Sequence, residues 1–130
     1  MTQTRRTILL VEDEADIREL FTLVLTQAEY AVVAVEAGQA GLEILGNRPV
    51  DLLVTDYHLP DMTGADVIRT ARERLPQLRT VLISGEAKVE ALARACGAQA
   101  WYRKGEPLDR FIGIIGTALD TTAWEPAGEM

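Results

Sequence analysis

The chain has 130 residues, 48% of them hydrophobic and 25% charged, enough for one domain with its own core. That balance excludes a disordered polyelectrolyte, and the single cysteine, Cys96, excludes an internal disulfide and fits a reducing compartment. A net charge of −7 sets the chain against phosphate backbones and anionic lipid, so neither nucleic acid nor membrane is expected as a direct partner. No apolar run is long enough to cross a bilayer, and the opening Met1–Arg6 lacks the apolar core of a signal peptide, so a cytoplasmic location is expected.

In chain order, Ile8–Val11 reads as a first strand. Ile17, Leu20, Phe21, Val24 and Ala28 then recur with helical period and predict a helix buried along that stripe. Ala31–Val35 predicts a second strand, 37–45 a helix, Leu52–Val54 a third strand and 65–75 a third helix. Val81–Ile83, Val89–Cys96, Ala100–Tyr102 and Leu108–Leu119 continue the alternation, with Leu108, Phe111, Ile112, Ile115 and Leu119 as the core stripe of the last helix and Ile114 off it. Turn residues fall between these segments, at 46–49, 59–61, Pro76 and Gly97. Strands apolar on both faces belong in a parallel sheet covered by helices on each side. The expected fold is therefore an α/β (βα)5 doubly wound sheet, flavodoxin-like, with five parallel strands ordered 2-1-3-4-5 and a crevice at the carboxyl ends of strands 1 and 3. The domain is expected over residues 1–122, with 123–130, which carry Pro126 and Gly128, as a fraying tail and Trp124 as a tail residue.

The polar residues that follow the strands carry the chemistry. Glu12 and Asp13 follow the first strand, Asp56 the third, Ser84 the fourth and Lys104 the fifth. In a parallel sheet these ends share one edge, so the groups converge on the crevice. Three carboxylates brought together repel unless a cation or proton lies among them. Oxygen ligands without histidine or thiolate favour Mg2+, or Mn2+, over zinc. Lys104 adds a point positive charge and Ser84 a hydroxyl, both suited to phosphoryl oxygens. A carboxylate nucleophile beside a divalent ion and a lysine is equipped to form an aspartyl phosphate.

The stretches Ile8-Leu-Leu-Val-Glu-Asp-Glu14, Leu53-Val-Thr-Asp-Tyr-His-Leu-Pro-Asp-Met-Thr-Gly64, Val81-Leu-Ile-Ser-Gly85 and Lys104 together resemble the signature of two-component response-regulator receiver domains. The resemblance runs from about Thr7 to Leu119. It implies that Asp56 is the phosphoacceptor, that Asp13 holds the metal directly and Glu12 through water, and that the His58 carbonyl completes the protein ligands. Ser84 would move toward the phosphoryl group, Lys104 would pair with it, and Trp101, three residues before the lysine, would be the switch aromatic. The implied donor is a histidine kinase or a histidine phosphotransfer domain. The implied output is a downstream protein, or a second copy of the chain in a homodimer, engaged through the helix 4–strand 5–helix 5 face. The resemblance further implies a module that catalyses only its own phosphorylation and dephosphorylation. The chain has no length left for an output domain, which suggests a stand-alone regulator or the receiver of a hybrid sensor kinase. Two positions depart from the family pattern. Gly105 stands where proline is usual, which predicts a looser loop after strand 5, and Trp101 is bulkier than the usual tyrosine or phenylalanine, which predicts a restricted inward rotation.

Plainer readings exist for each residue. Asp56 could be a turn aspartate, Lys104 a surface lysine, Ser84 the cap of the fourth helix, and Glu12 and Asp13 caps of the first. Thr63 and Asp66 have the spacing of a capping box, and Cys96 fits a small buried hydrophobe. His58 is the sole histidine, too little for a zinc site or a phosphodonor, and fits the pocket mouth. A flavodoxin-type carrier would need a phosphate-cradling loop where this chain has Glu12-Asp13-Glu14-Ala15-Asp16, and an aspartate-nucleophile phosphatase would need Asp-x-Asp there. A degenerate receiver that binds partners without phosphorylation is the remaining alternative.

Overall fold

Residues 5–120 are described by the computed structural model, in which five strands alternate with five helices. They are β1 (Thr7–Val11), α1 (Ala15–Gln27), β2 (Ala31–Val35), α2 (Gly38–Asn47), β3 (Leu52–Asp56), α3 (Gly64–Arg74), β4 (Arg79–Ser84), α4 (Val89–Cys96), β5 (Ala100–Arg103) and α5 (Leu108–Asp120). All strand pairs are parallel and the sheet order is β2-β1-β3-β4-β5, the expected topology. The expectations for Trp124 and for the tail lie outside the described residues.

The period of two along each strand divides the core into two layers. Leu9, Val11, Leu53 and Leu82 face α2, α3 and α4, where Leu42, Leu45, Val67, Ile68, Val89 and Ala93 cover them. Ile8, Leu10, Val54, Val81, Ile83 and Tyr102 face α1 and α5, which supply Phe21, Leu25, Phe111 and Ile115. Every residue of the central strand β3 is buried, as a strand covered on both faces requires. Phe21 stacks on Phe111 with ring centroids 4.5 Å apart and meets Tyr102 edge-on at 6.2 Å, which ties α1 to α5 across the lower layer.

Two stripes differ from expectation. On α1 the buried side chains are Phe21 and Leu25, while Leu20 is 39% exposed. Two meridians of this helix share Ile17, Phe21, Val24 and Ala28. The stacking of Phe21 on Phe111 selects the one that passes through Leu25. On α5 Phe111, Ile115 and Leu119 are buried as expected, Ala118 joins them, and Ile114 packs half-buried against the same cluster.

Candidate functional site

Strand register sets the site. Val11 lies opposite Thr55, Asp56 opposite Ile83, and Ser84 opposite Arg103. One step further along β1 puts Glu12 level with Asp56, and one step beyond β5 brings Lys104 past Ser84. Backbone bonds extend the ladder into these positions: Glu12 N–H donates to the Val35 carbonyl at 3.0 Å, Tyr57 N–H to Ile83 at 2.8 Å and Lys104 N–H to Ser84 at 2.9 Å. The residues that carry the chemistry are thus fixed by the sheet although the loops begin there.

Glu12, Asp13 and Asp56 present carboxylate oxygens within 4.8 Å of one another. Glu12 is fully buried and Asp56 is 4% exposed, while Asp13 faces solvent. Lys104 reaches into the group, its Nζ 2.8 Å from Glu12 Oε1, 3.0 Å from Asp56 Oδ2 and 3.5 Å from Glu14 Oε1. Burial, opposed by the Lys104 hydrogen bond and reinforced by the Asp56 charge, pushes the Glu12 carboxyl up to about 7. Burial alone would pull the Lys104 ammonium down, but hydrogen bonds to Glu12 and Asp56 and their charge outweigh it, and the net shift is upward. One half-buried cation therefore serves two buried carboxylates and leaves the cluster one positive charge short. A hard divalent cation fits that deficit and that all-oxygen donor set.

The loops around the cluster are held by groups that sequence reading passed over. Arg18 NH1 donates to the carbonyls of Glu12 at 2.9 Å and Asp13 at 3.3 Å, fixing the backbone on which both acids stand. Gly64 N–H donates to the Tyr57 carbonyl at 2.7 Å, and α3 comes so close to β3 that a Cβ on Gly64 would lie 2.1 Å from the Asp56 carbonyl oxygen. Only glycine fits there, so the end of β3 and the start of α3 are locked together. Thr63 and Asp66 form the expected reciprocal capping box at the head of α3.

The capping readings of the site residues resolve differently. Glu12 Oε2 accepts from Glu14 N–H at 3.1 Å, but Glu14 is the N-cap of α1 and neither Glu12 nor Asp13 caps the helix with its side chain. Ser84 is fully buried, and its hydroxyl accepts from Glu86 N–H at 3.1 Å. That bond turns the chain after β4, whereas α4 starts only at Val89 with Lys88 as its N-cap. Ser84 is not the cap of α4. The Glu86 bond also leaves its hydroxyl proton free for another acceptor.

The His58 side chain is 67% exposed, and its Nε2 is 2.5 Å from Glu86 Oε2. The pair joins the β3–α3 loop to the β4–α4 loop above the cluster. Trp101 is half-buried, packed on the α2/α3/α4 layer, and the Arg94 guanidinium lies 5.8 Å from its ring centroid. Gly105 takes φ +98°, a conformation that proline, held near −65°, does not reach. The departure at this position is therefore built into the path of the chain after Lys104.

The structure thus brings Glu12, Asp13, Asp56 and Lys104 into one cluster, with Ser84 at the end of the neighbouring strand, His58 in the loop after β3 and Trp101 on β5. Glu14, Arg18, Gly64 and Glu86 join them. Register and loop closure, rather than residue type, bring in these four. The only signal for them in the sequence is their position within two residues of a strand end or at the head of a helix.

Comparison with known proteins agrees with this arrangement. Residues 8–103 match the family model described as the response regulator receiver domain. The rice two-component response regulator ORR7 is 38% identical over 82 residues, covering 61% of this chain and 39% of that protein. The response regulator protein PilR of Pseudomonas aeruginosa is 30% identical over 118 residues, covering 89% of this chain and 26% of that protein. The chain therefore spans well under half the length of these two relatives. Among solved structures, a CheY-like receiver domain protein from Methanospirillum hungatei superimposes with a TM-score of 0.84 at 25% identity, over 90% of this chain and 95% of that one. The matched residues hold the acidic pair, the aspartate that ends β3 and the serine that ends β4, and the chain belongs to the response-regulator receiver-domain family.

Proposed function

We propose that this receiver of two-component signalling accepts a phosphoryl group on Asp56 from a phosphohistidine of a histidine kinase or phosphotransfer protein. The observation that carries the reading is the placement of Asp56, at the buried end of β3, with Oδ2 3.0 Å from Lys104 Nζ and two further carboxylates within 4.8 Å. With Oδ2 engaged by Lys104, Oδ1 is the oxygen that attacks. A bond forms from Oδ1 to phosphorus as the donor's phosphorus–nitrogen bond breaks, and the electron pair leaves on the imidazole nitrogen. Lys104 holds a phosphoryl oxygen and Ser84 donates its hydroxyl proton in a hydrogen bond to another. Asp13 and Asp56, with Glu12 and the His58 carbonyl, would hold Mg2+ or Mn2+, which would neutralise the charge of the transferred group. The domain has no separate substrate: the same residues form the acyl phosphate and hydrolyse it.

The receiver unit is assigned to residues 1–122. Its output runs through Ser84 and Trp101 to the face formed by α4, β5 and α5, where a downstream protein or a second copy docks. Among the described residues no helix is long and apolar enough to cross a membrane.

Intact mass after incubation with Mg2+ and acetyl phosphate tests the assignment. One phosphoryl group is expected on the unaltered chain and none on Asp56→Asn. Full labelling of the substituted protein would falsify the role of Asp56, and no labelling of the unaltered chain would favour the degenerate receiver.

A further inference from the structure

Trp101, the aromatic read above as the switch residue, is held by two kinds of contact. Trp101 is half-buried, its inner side packed on the layer that contains Val89, Ala93 and Cys96 of α4. Its other contact is a cation: the Arg94 guanidinium lies 5.8 Å from the ring centroid, within the range of a cation–π interaction, and tryptophan is the strongest such partner. The guanidinium is itself oriented. Arg94 Nε and NH2 both donate to Glu90 Oε2, at 3.0 Å and 2.6 Å, one helical turn earlier on α4. Glu90 before arginine at i,i+4 is also the favourable order for a helical ion pair.

The three side chains form a short series, Glu90 to Arg94 to Trp101, that links α4 to β5 on the solvent side of the sheet's upper layer. The indole is held from below by apolar packing and from beside by a charge that is itself held. Leu82, opposite Trp101 in the β4–β5 register, is fully buried and lies two residues before Ser84. The indole thus packs in the same layer as the strand that carries the hydroxyl.

We propose that Arg94 is a positioning residue for Trp101: oriented by Glu90, it holds the indole in its resting pose and sets how readily the phosphorylated site can draw that indole inward. The coupling to the site rests on the reading of Asp56 as phosphoacceptor and of Ser84 and Trp101 as its output. Holding of the indole does not. In this chain the resting state is favoured by a contact on the outer surface of α4, so a partner that competes for Arg94 or Glu90 promotes the switched state without touching the pocket. That assigns α4 an input role beside its output role, with an acidic partner group as the chemistry that would take Arg94 away.

The experiment uses the full chain carrying Trp124→Phe, so that Trp101 is the sole tryptophan. Arg94→Met removes the charge and keeps the apolar stem, Arg94→Lys keeps a cation, and Glu90→Gln weakens the orienting carboxylate. Acrylamide quenching of Trp101 without ligand reads the pose, and titration with Mg2+ and beryllofluoride reads the coupling. Arg94→Met is expected to raise the quenching constant about two-fold and to tighten beryllofluoride binding about two- to five-fold, the range that an exposed cation–π contact supports. Arg94→Lys should restore most of both, and Glu90→Gln should fall between. If Arg94→Met leaves quenching unchanged, the positioning role is overturned whatever the ligand does. If quenching rises but affinity does not, the indole is held without coupling to the site and the proposal as stated is wrong. Failure of the parent protein to bind beryllofluoride at all would instead strike the phosphoacceptor reading, and quenching would still decide the positioning role.

Discussion

The two edges of the sheet hold their charges in opposite ways. At the amino edge Arg6 and Arg79 both donate to the Leu119 carbonyl at the end of α5, Arg6 at 3.2 Å, and Asp51 accepts from Thr7 N–H at 2.7 Å. Cations there meet the negative end of a helix, and an acid meets a backbone donor. At the carboxyl edge Glu12, Asp13 and Asp56 crowd around one lysine, and Glu12 is pushed up to about 7 by burial. Each edge uses the sign that its helix ends favour. Among the described residues, the carboxylates gathered at the carboxyl edge outnumber the lysine that pairs with them. An edge that is satisfied contributes stability, whereas an edge left with surplus negative charge has affinity for a cation.

Three substitutions would break or sharpen that contrast. The largest effect is expected from Gly64→Ala, where the added methyl meets the Asp56 carbonyl and neither backbone can give way. A loss of about 3 kcal/mol is expected from such overpacking against fixed backbone. Urea denaturation of the metal-free chain checks it, and an unchanged midpoint would show that the α3–β3 junction is looser than its geometry implies.

Next comes Arg79→Met at the satisfied edge, which removes a charged donor from the end of α5. About 2 kcal/mol should be lost across the range from pH 5 to pH 8. A loss that disappears at one end of that range would contradict the assignment of this edge to plain stability.

The smallest effect has the opposite sign. The folded-state value of Glu12, about 7, lies above its ordinary 4.5. Between those limits the folded chain binds more protons than the unfolded one, so metal-free stability falls as pH rises through that window. Glu12→Gln removes this fall. In chelator it should gain about 1 kcal/mol at pH 8, where Glu12 is ionised, and almost nothing at pH 4, the gain being cut by the lost Lys104 pair. Thermal melts at the two pH values decide the matter: a variant less stable than the parent at pH 8 would mean that the lysine fully compensates the buried acid.

Much of this was legible before the fold. Alternating apolar runs gave the five strands and five helices to within a few residues, because a parallel sheet needs strands apolar on both faces and its covering helices need a stripe. Glu12, Asp56, Ser84 and Lys104 were legible because each follows a strand, and parallel topology gathers strand ends. What stayed hidden depends on distances that no spacing encodes. Gly64 matters because two backbones approach, and Arg18 because its side chain reaches back across a helical turn to two carbonyls. The choice between Leu20 and Leu25 on α1 was hidden for another reason: a period of 3.6 residues allows both meridians, and the partner helix selects one.

Gly105 has a consequence for anyone who would stabilise this domain by borrowing from its relatives. Averaging over homologous sequences commonly finds better residues, because each natural chain drifts from the optimum at scattered positions. Proline after the lysine is the kind of residue such averaging would restore. Here the backbone at 105 has turned to φ +98°, and a pyrrolidine ring would force the segment after β5 onto another path. Lys104, the cation that pairs with Glu12 and Asp56, is the residue immediately before it. The substitution that looks most conservative on paper is therefore one that this chain has lost the means to accept, and a consensus design should leave position 105 alone.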